Sequence, residues 1–398
     1  MEKKIFLIVF AFTISLIKAQ KNDSIQINYQ KQMEQQQQQI KELQEQMKIL
    51  QAQNTSSLNN NTVSETKKES TEFKPKGRVF GRIFMGYANS LENKSDRRQG
   101  FDIARSYLGY DYQITENLST RIMIDATPEG TLAQIGKENV QSLKTPALKN
   151  VYIKYETEKV SVTAGMFATP HVVIPLQYWE NRYINKSFPI ANGLARGADI
   201  GITGVYKIAP YLSVDAAILK GEGFRKISKD NMYQYVVAAT ITPFKNMIIR
   251  PLFDIKTGEN LHRKDRMYAT ALIGYRNSKI SAGAELSKVF NDGAAEVDKY
   301  GYSLFLNGKI TKQIKIFGRA DVYSTSLPES YYSGYDFFNA DNKAFTGHTD
   351  MFIFGLEYII AKGVKISPNF NYKVYKKAGD RGQDLHSNTL AVSMEIKI

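Results

Sequence analysis

Cysteine is absent from the 398-residue chain. That excludes disulfides, thiolate metal sites, a cysteine nucleophile and a lipid-modified N-terminal cysteine. Histidine is scarce. His171, His262, His348 and His386 stand far apart, and no two share metal-ligand spacing, so neither a metal nor a cofactor is expected. Tryptophan occurs once, at Trp179. After the N-terminus no run of ~18 apolar residues occurs, which argues against a helical membrane span. A strand-built span stays allowed, because only alternate residues of such strands must be apolar. Gly-x-Ser-x-Gly, His-Glu-x-x-His, Walker-type and dinucleotide patterns are all missing, so no enzyme is expected. A hydrolase on a barrel wall needs a Ser and a His on one face, and the adjacent His386 and Ser387 point to opposite faces.

Tyrosine and phenylalanine, in contrast, are plentiful, at 24 and 21 residues. In a barrel they suit the aromatic girdles at the two membrane interfaces. Net charge is +14. Residues 1–75 hold 10 Lys+Arg and 8 Asp+Glu, and residues 76–398 hold 43 and 31, so +12 lies in the second part. It is spread over the whole region, with no basic run of the kind that tracks a phosphate backbone, so no nucleic-acid partner is expected. Small anions are the better match.

Residues 1–19 read as a secretory signal peptide: Lys3 and Lys4, the apolar stretch Ile5–Ile17, then small Ala19 before Gln20. Residues 25–53 carry Met33, Ile40, Leu43, Met47 and Leu50 at 3-4 spacing, with Tyr29 and Gln36 filling the seam. This is a short coiled coil, too short to be stable alone, so it implies self-association. Three copies suit a trimer, although the seam residues fit two strands as well. Residues 54–75, rich in Ser, Thr, Asn and Lys, form a flexible linker.

From residue 76 the chain reads as sixteen strands, at 77–88, 100–113, 117–127, 147–157, 159–168, 197–207, 211–220, 231–243, 245–255, 265–276, 279–289, 299–309, 313–325, 348–361, 364–375 and 386–398. Their connections alternate between tight turns and longer loops. The longer set includes Phe290–Asp298 and, longest of all, Thr169–Arg196. Antiparallel hairpins with short periplasmic turns and long outer loops give this rhythm, so the fold class is all-β: a 16-stranded antiparallel transmembrane β-barrel, 76–398.

Alternation assigns the faces. Leu118, Thr120, Ile122, Ile124 and Ala126 oppose Ser119, Arg121, Met123 and Asp125. Ile314, Ile316, Gly318, Ala320 and Val322 oppose Lys315, Phe317, Arg319, Asp321 and Tyr323. A charge facing lipid costs ~2–4 kcal/mol at the midplane, so the charged faces line a wet lumen. Arg105, Arg121, Arg250, Lys309, Lys315, Arg319 and Lys373 then form either a cationic guide path or a set of wall charges balanced by Asp111, Asp125, Asp254 and Asp321. Spacing suggests the pairs Arg121–Asp125 and Arg319–Asp321. The last strand keeps its alternation, although it ends on Ile398 where an aromatic residue is usual for outer-membrane barrels.

The loop Thr169–Arg196 holds Pro170, Pro175, Pro189, Trp179, His171, Arg182, Lys186 and Arg196, with Glu180 as its one acid. Val172, Ile174, Leu176, Tyr178 and Tyr183 give it apolar surface to bury. Folded inward, it narrows the pore and places cations in the path; folded outward, it packs on neighbouring loops or a partner subunit.

Three stretches resemble the phosphate-selective porin O and P family, in a form common in Bacteroidetes. They are Phe101-Asp-Ile-Ala-Arg-Ser-Tyr-Leu-Gly109, Asn117-Leu-Ser-Thr-Arg-Ile-Met-Ile-Asp125 and Gly165-Met-Phe-Ala-Thr-Pro170, with Gly283-Ala-Glu285 as a looser echo. The resemblance covers residues 76–398. It implies a homotrimer of sixteen-stranded barrels in the outer membrane of a Gram-negative bacterium, in contact with its lipids. It also implies a third loop folded inward, anion passage, and in some members a periplasmic coiled coil. Gly165, Phe167, Thr169 and Pro170 match the family's strand-to-loop junction. Arg182, Lys186 and Arg196 match no family motif, so phosphate and general small anions both stay open. The rival reading is a structural or partner-binding barrel of an envelope assembly with little channel activity.

Overall fold

A computed structural model describes residues 38, 41, 45, 73–91, 100–126, 146–225, 232–257, 264–293, 296–326, 345–377 and 385–398. The chain divides into two units, Met1–Glu72 and Phe73–Ile398. In the first, Gln38, Lys41 and Glu45 are helical and exposed. The expected signal peptide, and nearly all of the expected coiled coil and linker, lie outside the described residues. Among the described residues no helix is long and apolar enough to cross a membrane.

The second unit is one closed sheet of sixteen strands: β1 Lys76–Ser90, β2 Gly100–Gln113, β3 Leu118–Ala126, β4 Pro146–Glu156, β5 Val160–Ala168, β6 Ala198–Ala209, β7 Leu212–Leu219, β8 Gln234–Ile241, β9 Met247–Lys256, β10 Arg266–Arg276, β11 Ile280–Asp292, β12 Val297–Lys309, β13 Ile314–Thr325, β14 Phe345–Ala361, β15 Val364–Lys377 and β16 Leu385–Lys397. Each strand pairs antiparallel with the next, and β1 pairs with β16 to close the barrel. Closure leaves no strand edge with unpaired backbone groups. At the seam Gly81 and Ile398 exchange both backbone hydrogen bonds, at 3.1 and 2.9 Å.

Strand number and order agree with the sequence reading. One connection does not. Phe290–Asp298 was expected to be a long loop, but β11 and β12 run on until only residues 293–296 separate them. Asn291, Gly293 and Glu296 take positive φ there and turn the chain tightly. The tight turns on the opposite rim share a device. Thr115, Thr157, Asn277 and Thr311 each accept a backbone N–H from three residues on, at 2.8–3.1 Å. These side chains satisfy amides that the ladder leaves open, and so fix the register of each hairpin.

Burial is inverted relative to a water-soluble barrel. Along β12, Tyr302, Leu304 and Leu306 are exposed at 46, 55 and 50%, whereas Ser303, Phe305 and Asn307 are buried. Arg319 and Asp321 are likewise buried on β13 while Ile316 is exposed. The apolar face points outward, and the polar face lines the interior. Towards the outer end of the outward face the character changes. Ser324 Oγ lies 2.5 Å from His348 Nδ1, His348 Nε2 lies 3.1 Å from Asp350, and Lys376 pairs with Asp350 at 3.7 Å. The adjacency of His386 and Ser387 in the sequence gives no sign of this grouping, which joins residues 24 positions apart. It ties β13, β14 and β15 together where the apolar belt ends.

Inside the barrel, large rings sit on glycines of the neighbouring strand. Phe80 faces Gly109, Phe305 faces Gly283 and Phe317 faces Gly355 in the ladder. A Cβ at Gly109 would come within 2.4 Å of the Phe80 ring. The glycine gives the ring room to lie flat on the wall instead of projecting into the lumen.

Candidate functional site

The site begins where β5 ends. Gly165 has φ of 122°, and a Cβ there would lie 2.3 Å from the Val151 carbonyl, so the position requires glycine. Phe167 turns inward and is buried against Phe188 and Leu194. Thr169 clamps the two ends of the following segment: its Oγ1 donates to the Arg196 carbonyl at 2.6 Å, and its N–H donates to the Gly197 carbonyl. Pro170 then opens helix α1, Pro170–Trp179, where a missing N–H costs nothing. A short helix α2, Phe188–Ala191, follows.

The segment packs against the inward-facing side of the wall, and its contacts run far around the barrel. His171 Nε2 lies 2.6 Å from Asp254 on β9. The Pro170 carbonyl accepts from Arg250 at 3.3 Å. The Tyr178 carbonyl accepts from Ser281 on β11 at 2.7 Å, and the Trp179 carbonyl from Asn307 on β12 at 3.2 Å. Arg319 on β13 donates to the Lys186 carbonyl at 2.5 Å, and its guanidinium lies 5.0 Å over the Trp179 ring. Tyr183 donates to Glu357 on β14 at 2.9 Å and leans on Phe84 of β1. Burial and the Glu357 carboxylate both push the Tyr183 hydroxyl well above the usual tyrosine range, so it remains a neutral donor.

Apolar packing completes the anchorage. Trp179 and Tyr178 join Ile248, Leu272, Phe305, Phe317, Met351 and Ile353 in one buried cluster. Complete burial of a large side chain stabilises by about 1.5–3 kcal/mol, so this packing adds substantially to the polar anchors.

The expected lumenal cations separate into groups. Arg105 bonds Asp125 at 3.2 Å, and Arg121 holds Asp111 with two nitrogens, at 2.5 and 2.9 Å. Arg121 thus pairs with Asp111 on β2, not with Asp125 as its spacing suggested; the register places Asp111 directly opposite. Arg250 pairs with Asp215, and Arg319 with Asp321 as expected. Lys315 reaches Glu180 of the loop at 3.1 Å. Lys309 is exposed at the rim, and Lys373 is half-buried on the inward face of β15. Within the loop, Arg182 and Lys186 are half-buried and Arg196 is exposed. Arg250, Arg319 and Lys315 therefore hold the loop, whereas Arg105 and Arg121 stand on a different part of the wall.

That part, β1 to β4, was only partly legible. Tyr107 and Lys149 were missed. Lys149 Nζ lies 2.8 Å from Asp125 and 3.1 Å from the Tyr107 hydroxyl, which also accepts from Arg105 at 2.8 Å. A bulge in β4 explains the miss. Leu148 and Asn150 face consecutive residues of β3, so Lys149 is an extra residue that simple alternation does not place.

No family model and no curated protein matches the sequence. Solved structures do match the fold. The outer membrane channel DcaP of Acinetobacter baumannii superposes with a TM-score of 0.58 at 11% identity, over 84% of this chain and 100% of that one. The anion-selective porin from Comamonas acidovorans gives 0.57 at 10% identity, over 82% and 100%. OprB of Pseudomonas putida gives 0.55 at 11% identity, over 81% and 94%. The chain has a porin fold.

Proposed function

We propose that the chain is an outer-membrane porin. It passes small hydrophilic solutes by passive diffusion and prefers anions, with Thr169–Arg196 as the constriction. The observation that carries this reading is the inversion of burial combined with a loop hydrogen-bonded to the inner wall. An apolar outer belt suits lipid, and a polar interior narrowed by a loop suits a selective water-filled passage. The net charge of +12 over residues 76–398 supports the anion preference, as does the shared fold with an anion-selective porin. Oxyanions, phosphate among them, are the solute class that the family resemblance supports. A homotrimer with an N-terminal coiled coil in the periplasm completes the proposal.

Bilayer reversal potential under a salt gradient tests it. A potential of the sign set by anion flow is expected, and cation preference overturns the anion reading. Absence of conductance favours the structural-barrel alternative. Phosphate as competitor separates a phosphate path, whose chloride conductance falls at millimolar phosphate, from a general anion path.

A further inference from the structure

The wall of β1–β4 carries stacked planes as well as charges. The Phe80 ring lies on Gly109, and the Arg121 guanidinium lies 4.9 Å over that ring and 6.0 Å over Tyr152. Glycine, ring and guanidinium are thus layered outward from the wall. Arg121 spends its Nε–H and one Nη2–H on Asp111, so one of its two bidentate edges is committed. What remains for a solute is the Nη1–Nη2 edge and the face turned away from Phe80, and the side chain is 34% exposed. A second tier repeats the pattern. Lys149 sits 4.6 Å over the Tyr107 ring and 5.3 Å over the Phe224 ring, and Arg105 lies 5.6 Å over Tyr107.

In ion pairs, this sector sets Arg78, Arg105, Arg121, Lys149 and Lys154 against Asp111, Asp125 and Glu156. The field is positive. Inorganic phosphate gains most from free N–H edges, which bind its oxygens in pairs. A conjugated ring bearing a carboxylate gains from the face of a guanidinium, from neighbouring rings and from the positive field together.

We propose that this wall is a binding track for planar organic anions, with aromatic carboxylates as the ligand class. The proposal rests on the anion-channel reading above and names its preferred solute. Arg121 supplies the stacking plane and Phe80 holds that plane parallel to the wall. Tyr107 and Lys149, whose ammonium is held by Asp125 and the Tyr107 hydroxyl, back the track from within the wall.

The test uses the purified full chain in planar bilayers, with potassium chloride conductance titrated by benzoate, acetate or phosphate. Benzoate is expected to half-block at a concentration on the order of tenfold below acetate, the size of a single cation–π or stacking contact. Arg121→Lys keeps the charge and removes the plane, and is expected to bring benzoate and acetate within about twofold. Phe80→Leu keeps Arg121 and removes its support; it is expected to shrink the difference in the same direction, and serves if the first variant does not insert. Equal block by benzoate and acetate in the natural chain overturns the track, as does phosphate block as strong as that by benzoate. A cation-selective reversal potential overturns the underlying anion reading as well. Anion selectivity without benzoate preference removes the track alone.

Discussion

The Tyr183 hydroxyl reaches across the interior and donates to Glu357 at 2.9 Å, joining residues 174 positions apart. Glu357 is buried and also meets Lys365 at 2.6 Å and Lys315 at 3.8 Å. The hydroxyl thus completes a carboxylate already held by two ammonium groups. Tyr183→Phe removes one donor without exposing the acid. It is expected to cost about 1–2 kcal/mol of loop attachment and to raise gating noise in single-channel records, with barrel insertion unchanged. Normal noise in this variant would show that apolar packing alone holds the loop.

The same bond has a pH dependence with a definite sign. The Tyr183 hydroxyl is raised above its ordinary value by burial and by Glu357. A group raised in the folded state contributes stability that is fully present below its unfolded value and is lost only as pH rises through the folded one. The difference in channel noise between the natural chain and Tyr183→Phe is therefore expected to stay constant from neutral pH to roughly 10, the ordinary tyrosine value. A difference that disappears between pH 8 and 9 contradicts the buried, neutral donor.

Asp254 is the second anchor. It is fully buried, faces His171 of the loop at 2.6 Å, and pairs with Arg266 at 3.2 Å. Arg266 in turn donates to the Leu194 carbonyl at the far end of the loop. One carboxylate thus organises both ends of the segment. Asp254→Ala removes the partner of His171 and one of the two carboxylates that hold Arg266, which keeps Asp292 at 2.9 Å; the loss is expected to cost about 1–3 kcal/mol. The expected outcome is a larger unitary conductance together with a lower unfolding temperature, read by the heat-dependent mobility of the barrel on gels. Unchanged conductance would mean that the loop does not narrow the passage.

How far these features could be read from the sequence follows from their range. Strands and faces depend on neighbours two residues apart, so alternation such as Leu118 to Ala126 displays them directly. The apolar residues of the loop announced that it packs, and Val172, Tyr178 and Trp179 are indeed buried. Their partners were not legible, because Ile248, Phe305 and Ile353 belong to strands that meet the loop only after the barrel closes. Local irregularity hid other features. Lys149 is displaced by a bulge, and the positive-φ residues Asn291 and Glu296 shorten a connection that polar composition made look long. Arg121 shows a third cause: spacing along one strand offered Asp125, but the ladder to β2 supplies Asp111 at closer range.

The outward face gives the most direct test that the barrel lies in lipid. Leu304 is 55% exposed in the middle of β12, between the exposed Tyr302 and Leu306. In water, Leu304→Lys would be close to neutral, since surface substitutions usually fall within about 0.5 kcal/mol. In a bilayer the same change costs ~2–4 kcal/mol near the midplane. Met123→Lys, on the inward face of β3 near Arg121 and Asp125, adds the same charge to the wet side. The expected pattern is poor membrane insertion and a lowered unfolding temperature for Leu304→Lys alone. Met123→Lys is expected to insert normally and to shift the reversal potential further toward anions. If the two variants insert equally well, lipid does not surround Leu304; if they insert equally poorly, the inward face of β3 is not open to water.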